Sequence, residues 1–392
     1  MKIKENFLID TIKIVEVNIP YDTPFQISGG VSYSRKSLII EIHSGDVVAY
    51  GEAAPFESPF YSSETISTAK AILIEELIPR VVGVEIKSIE ELNNILNKNI
   101  RGNNFAKAGI ETGYWDLVAK KNNISLKSLI AYKLKELGTS EEYLKNKDYI
   151  YSGVSVGIPE DNSYETLKNM VKEYVEQGYT RVKIKIKPGW DVEALKHTRD
   201  VIGDEFILWP DANAAYSYEE GLNLLKEIDK FNCNFIEQPL DSNDILDHTK
   251  LMKKAKTPIC FDESLKSSMI ARQIVEIDGP KIWNIKIQRV GGLLEALKIY
   301  TIASHNNIEV WGGTMPESGI GGAAILALST FEGFKYPACI EPSERWYGSG
   351  KDLKEIEMDK EGKIYYKEEI GIGEINSKNY NKYGTIIYEY KA

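Results

Sequence analysis

The chain has 392 residues, 43% of them hydrophobic, enough to bury a large core and to suggest one big domain with a second attached. Its 48 Lys and Arg against 58 Asp and Glu give a net charge of -10, which disfavours nucleic acid or an anionic membrane surface as the main partner. Cys233, Cys260 and Cys339 are odd in number and widely spaced, so neither a disulfide framework nor a thiolate zinc site is indicated, and a reducing cytoplasm is the expected location.

The opening text MKIKENFLIDTIKIVEV mixes charges with apolar residues and lacks the apolar run of a signal peptide; no stretch has membrane-spanning length. From residue 11, TIKIVEVNIPY alternates like a strand, and KSLIIEIHSGDVVAYGEA reads as a hairpin turning at Ser44, Gly45 and Asp46. Between them YDTPFQISGGVSYSRKS has glycines, serines and few helix formers, which suits a mobile loop closing over a site, with Phe25, Ser28 and Arg35 as candidate substrate contacts. Next, SETISTAKAILIEELIPRVVG, IEELNNILNK and FAKAGIETGYWDLVAKKNN place apolar residues at the helical period. Residues 1–130 therefore read as an α+β domain, and the charged stretch LKELGTSEEYLKNKDY as a linker.

Beyond it, short apolar runs alternate with helical segments: YSGVSV, RVKIKIKP, FILWPDAN, CNFIEQPL, PICFDES, WNIKIQR and IEVWGGT. From Ser155 through Lys185, Asp211, Glu237, Asp262 and Lys286 to Trp311 the steps are 30, 26, 26, 25, 24 and 25 residues, the near-constant period of a chain of βα units. Seven units plus an eighth strand near YPACIEP predict a closed parallel barrel over residues 150–345, with an open doubly wound sheet as the alternative. The expected fold class is α/β: a modified TIM barrel, (β/α)7β-like, with an N-terminal α+β capping domain. Residues 355–392 are expected to return to that domain, with GIGEINSKNY and TIIYEY as edge strands.

Barrel active sites lie where strands give way to their following loops. Asp211, Glu237 and Asp262 each close an apolar run on three consecutive strands, so their carboxylates are expected to converge. Such charges repel unless protonated or neutralised, and a hard divalent cation with oxygen ligands does this most simply. Magnesium, with manganese as substitute, is preferred over zinc because the four histidines fall outside these strand ends. Lys185 closes the second strand and Lys286 the sixth, which face each other across an eight-stranded mouth. A substrate carboxylate on the ion would hold its α-carbon between two amines, and the ion would stabilise the ene-diolate formed when the α-proton leaves. Lys183 lies two residues from Lys185 on the same strand face, so their repulsion is expected to lower a pKa towards use as a base. Glu263 points away from its neighbour Asp262, and a hydrogen bond to a lysine is its expected role.

The strings VKIKIKPGWD, WPDAN, FIEQPL, ICFDES, NIKIQRVGG and GGTMPESGIG resemble the enolase superfamily in its muconate-lactonising subgroup. Within it they are most similar to o-succinylbenzoate synthases and N-acylamino acid (N-succinylamino acid) racemases. The resemblance implies Asp211, Glu237 and Asp262 as magnesium ligands, Lys185 and Lys286 as the acid/base pair, and Lys183 beside the substrate carboxylate, with Ser155 and Asn213 in support. Glu317 joins the substrate side, as a partner of the second-face lysine or as a cap on the next helix. The implied activity is dehydration in menaquinone biosynthesis, racemisation of acylated amino acids, or both, in a homo-oligomer acting on a small carboxylate. Muconate-type cycloisomerisation and dipeptide epimerisation are the neighbouring alternatives, the latter with Glu341 in CIEPSERW to hold an amino group, and a non-catalytic metal- or carboxylate-binding barrel is the bland one. Where the group usually shows GGMxE, this chain reads GGTMPES, so the resemblance speaks more strongly for the reaction class than for the substrate.

Overall fold

Alternating Ile and Val residues build the opening sheet of this computed structural model, which describes residues 3–27 and 30–392, with the side chains of 23–31 left aside. After a short β1 (Phe7–Leu8) come β2 (Thr11–Ile27), β3 (Gly30–Ser44) and β4 (Val47–Ala53), and then β5 (Glu85–Ile86), the antiparallel partner of β1. Ile12, Ile14, Val17 and Ile19 of β2 and Leu38, Ile40 and Ile42 of β3 are buried. The helix Asn104–Lys121 lies on this sheet at very close range, because small residues meet there. A Cβ on Gly51 would stand 2.1 Å from the Gly109 carbonyl oxygen, so any larger residue would push helix and sheet apart. The turn at Gly45, with φ +55, stands where the sequence places it.

Other expectations need correction. The stretch read as a loop between the first strands is paired backbone, from Pro20↔Ser34 and, past a register shift, Phe25↔Ser32 to Ile27↔Gly30. The shift lies between Pro20 and Phe25 on β2, and hydropathy does not reveal it. Ser28 lies outside the described residues, and the Phe25 side chain is likewise not described. The stretch read as a linker is packed: its start closes the helix Leu126–Glu136, and Tyr143 is buried with its ring 5.5 Å from that of Tyr300. Its many charges belong to a solvent face, while a few apolar residues make the contact.

Then come β6 (Tyr149–Tyr151) and the parallel strands β7 (Val154–Val156), β8 (Arg181–Lys185), β9 (Ile207–Asp211), β10 (Ile236–Glu237), β11 (Ile259–Phe261), β12 (Ile282–Ile285) and β13 (Glu309–Gly312). β7 to β13 form one seven-stranded sheet in strict chain order, the pattern of a curled barrel and not of a doubly wound sheet. No eighth strand stands at YPACIEP among the described residues, yet that segment occupies the gap. Ala338 N–H donates to the Tyr151 carbonyl at 2.9 Å and Cys339 N–H to the Gly312 carbonyl at 2.9 Å, joining the two ends of the sheet.

β14 (Lys363–Tyr365) pairs antiparallel with β6, and β15 (Gly384–Lys391) runs antiparallel along β2 at the edge of the opening sheet. GIGEINSKNY, expected as an edge strand, instead leads into the helix Ser377–Tyr383, capped by Asn376, whose side chain accepts from Asn379 N–H. An Asn-Ser pair offers a cap that alternation alone does not show. Among the described residues no helix is long and apolar enough to cross a membrane.

Candidate active site

Strand register assembles the charged residues. Lys185 pairs with Asp211, and Asp211 with Glu237, at the carboxyl ends of β8, β9 and β10, while Asp262 and Lys286 directly follow β11 and β12. The Lys183 ammonium lies 3.0 Å from Asp211 Oδ2 and donates to Glu237 Oε2 at 3.1 Å. Lys185 donates to Asp211 Oδ2 and to Asn213 Oδ1, each at 2.6 Å. Asn213 in turn donates to Glu263 Oε1 at 2.9 Å. Glu237 further accepts from Trp209 Nε1 at 3.1 Å and from Asn284 Nδ2 at 3.2 Å. Lys286 donates to Asp262 Oδ2 at 2.9 Å and to the Tyr61 hydroxyl at 3.1 Å, and Arg289 holds the other oxygen of Asp262.

This network joins Lys183, Lys185, Asp211, Asn213, Glu237, Asp262 and Lys286, but the acids are partnered by cations rather than turned toward one another. Among the described residues no group of three or more His, Cys, Asp or Glu side chains is drawn together as a metal site. Each of these three carboxylates has an amine or guanidinium beside it, which offsets part of the repulsion among the acids.

Electrostatics follow from these pairs. Burial raises the Asp211 carboxyl, but the Lys183 and Lys185 ammonium groups outweigh it and hold the group well below the usual carboxylate range. Burial likewise works against Asp262, and Lys286 and Arg289 prevail to lower it. Glu237 is raised, first by burial and then by Asp211, with Lys183 opposing. Glu263 is pushed up to about 7 by burial and by its neighbours Asp262 and Asp211. The expected lowering of the paired lysines fails for Lys183: burial pulls it down, but Asp211 chiefly, with Glu237, raises it well above its ordinary value. Lys286 is raised in the same way, with Asp262 outweighing burial. Lys185 is the accessible amine, its side chain 34% exposed against 5% for Lys183.

Five expected residues stand differently. Ser155 is outside the network: its N–H donates to Glu341 Oε1 at 3.1 Å and its hydroxyl lies 3.4 Å from Cys339 Sγ. Among the described residues Glu317 meets no lysine and caps no helix. It accepts from Met315 N–H at 2.8 Å, and Ser318 caps the helix Gly319–Ser329. Glu263 bonds Asn213 and not a lysine. Arg35, a candidate substrate contact, is buried and donates to the Ala54 carbonyl at 2.5 Å and the Pro55 carbonyl at 3.3 Å. Glu341, the candidate holder of an amino group, is ion-paired with Arg345 at 2.8 Å. Sequence reasoning missed Tyr61 and Arg289 as partners of Lys286 and Asp262, and it missed the support given to Glu237 by Trp209 and Asn284. Tyr61 lies 225 residues before Lys286, a distance no local pattern spans.

With amines and buried acids at the ends of a curled parallel sheet, beside an antiparallel sheet with helices, this chain is an enzyme that belongs to the enolase superfamily. Residues 9–131 match the mandelate racemase / muconate lactonizing enzyme N-terminal domain and residues 166–376 the enolase C-terminal domain-like family. The o-succinylbenzoate synthase of Bacillus subtilis (strain 168) is 37% identical over 382 residues, covering 96% of this chain and 97% of that protein. The N-succinylamino acid racemase of Thermus thermophilus is 34% identical, covering 93% and 94%. A crystal structure of an enolase superfamily member from Listeria innocua Clip11262 superposes with a TM-score of 0.87 at 34% identity, covering 98% of this chain and 99% of that one.

Proposed function

We propose that the chain removes the proton next to the carboxylate of a small-molecule substrate, with Lys185 and Lys286 as the acid/base pair. The observation that carries this reading is their placement: one ends β8, the other follows β12, and Asp211, Glu237 and Asp262 stand at the strand ends between. Lys185 takes the α-proton from one face. For racemisation, Lys286 delivers a proton to the opposite face, and the two exchange roles in the reverse direction. For dehydration, Lys185 takes the α-proton and, as the ammonium so formed, returns it to the hydroxyl on the adjacent carbon, which leaves as water. Relatives of both names match at similar identity, and the same pair of lysines suits either reaction.

Enolase-superfamily enzymes generally bind Mg2+. The donor chemistry here fits Mg2+, or Mn2+ in its place: buried oxygen donors only, on neighbouring strand ends. Beside them Glu263 Oε2 and Asn284 Oδ1 are buried oxygens with no hydrogen-bond partner among the described residues. Asp211, Glu237 and Asp262 would hold the ion, with Lys183 next to the substrate carboxylate and Asn213 orienting Lys185. When bound, the ion offsets the negative charge that builds on the substrate carboxylate as the proton leaves. Because Glu341 is already paired with Arg345, a free substrate amine has no carboxylate waiting there, which favours N-acylated substrates over dipeptides.

Incubating N-succinyl amino acids in deuterated water with Mg2+ tests the reading. Exchange of the α-proton with inversion is expected. Exchange without net racemisation would confine the activity to one-face chemistry such as dehydration or cycloisomerisation, and no exchange across a broad panel of carboxylates would remove the proposal.

A further inference from the structure

Beneath the acids lies a second polar layer that the chemistry above does not use. Gln238, the residue after Glu237, is fully buried and has φ +40, a conformation uncommon for a side chain of this size. Its amide oxygen accepts from the backbone N–H groups of Asp262 and Ser264, both at 3.1 Å. Its amide nitrogen donates to the Leu240 carbonyl at 3.1 Å and to the Ser264 hydroxyl at 2.8 Å. Its main chain is equally committed, the carbonyl accepting from Ala214 N–H at 2.8 Å and the N–H donating to the Cys260 carbonyl at 2.9 Å. One residue, itself the neighbour of Glu237, thus touches both the loop after Asp211 and Asp262 itself.

His248 completes the layer. Fully buried, it accepts the Leu240 N–H on Nε2 at 3.1 Å, while Nδ1 lies 2.5 Å from the Asp244 carbonyl. A carbonyl can only accept, so Nδ1 carries the proton and Nε2 is free to accept, which fixes a neutral ring. Leu240 is therefore held at both its N–H, by His248, and its carbonyl, by Gln238.

We infer that Gln238, braced by His248, is a positioning residue that sets the strand ends bearing Asp211, Glu237 and Asp262 relative to one another. The consequence for cation binding rests on the reading proposed above. A strained backbone is kept where surrounding bonds over-determine it, and every polar atom of the Gln238 side chain is used in doing so. Groups one layer behind ligands act in this way, and their loss costs roughly 10- to 100-fold in metal affinity or activity.

Gln238→Met, similar in length and without these polar atoms, provides the test, read by amide hydrogen exchange and by calorimetric titration of the metal-free protein with Mg2+. The amides of Asp262 and Ser264 are expected to exchange at least about tenfold faster, Mg2+ affinity to fall roughly 10- to 100-fold, and kcat to fall more than KM changes. Gln238→Glu keeps both acceptor contacts and is expected to restore protection at those two amides. His248→Phe frees Leu240 and is expected to move each readout the same way by less. Unchanged exchange at 262 and 264 in Gln238→Met would overturn the inference, and so would faster exchange with unchanged Mg2+ affinity, which marks a merely structural role. A parent protein that binds no Mg2+, with exchange altered as expected, supports the tie between strand ends and removes the metal reading instead.

Discussion

Lys286 is the residue on which the two-face reading turns. Its ammonium is buried between Asp262 and Tyr61, with the tyrosine ring 4.8 Å away, so it is held charged and ready to donate. Lys286→Ala is expected to abolish racemisation, a loss of at least about a hundredfold, while Lys185 continues one-face exchange of the α-proton with deuterium. Chiral chromatography beside proton NMR separates the two, and racemisation retained at parental rate would sink the two-base assignment. The lysines and acids were legible in sequence because each ends an apolar run at a near-constant step, and strand ends are where a barrel keeps its chemistry. Their state of charge was not. For Lys183 the repulsion from Lys185 was visible in the KIK spacing, but the two carboxylates that outweigh it come from other strands. Tyr61, Arg289, Gln238 and His248 were missed for the same reason, since their roles exist only once distant segments meet.

At the scale of elements, the helix Gly319–Ser329 shows how the opening sheet is fastened to the barrel. Its first turn offers unpaired N–H groups and the positive end of its dipole. Glu52 of β4 answers both, accepting from Ser318 N–H at 3.0 Å, Ser318 Oγ at 2.6 Å and Gly321 N–H at 2.9 Å, while fully buried. Glu52→Ala leaves these donors without a partner and is expected to lower the free energy of unfolding by about 1–3 kcal/mol, with Glu52→Gln losing less. Urea denaturation measures this, and equal midpoints for parent and Glu52→Ala would show that the contact contributes little. None of this was readable beforehand, because Glu52 sits in an alternating strand where a polar residue signals a solvent face. The helices and strands themselves were largely legible from periodicity. Periodicity failed where pairing resumes past a register shift, as between Pro20 and Phe25, and where a cap begins a short helix, as at Asn376.

For the molecule as a whole, pH and barrel closure are the two levers. Asp352 is pushed from an ordinary 3.8 up to about 7, by burial above all, against hydrogen bonds from Ser343, Gly319 and Leu353 and with added repulsion from Glu52. The fold thus prefers this carboxyl protonated. Its stabilising effect is full below the ordinary value and is lost as pH rises through about 7. Between roughly pH 4 and 7 the parent should therefore lose stability more steeply than Asp352→Asn, by at most about 1.4 kcal/mol per pH unit, and parallel urea-midpoint profiles would refute the assignment. Closure depends on a segment without strand pairing of its own. Ser152 Oγ donates to the Ile340 carbonyl at 2.6 Å and Gly153 N–H to the Ala338 carbonyl at 2.9 Å, so residues 338–340 stitch the first stave to the last. The sequence pointed to a closing element at YPACIEP, but its two prolines and short reach leave room for isolated bonds rather than a ladder. Each bond then matters more, because no neighbouring pair shares the load. Ala338→Pro deletes the donor to the Tyr151 carbonyl, whereas Ala338→Gly keeps it and serves as control. The proline variant is expected to be about 1–3 kcal/mol less stable than the glycine variant in urea. Its activity should fall as well, because the same segment leads into Cys339 and Glu341, which contact Ser155 on β7 beside the Lys183 strand. Equal stability of the two variants would mean that the barrel is closed by side-chain packing and not by this backbone seam.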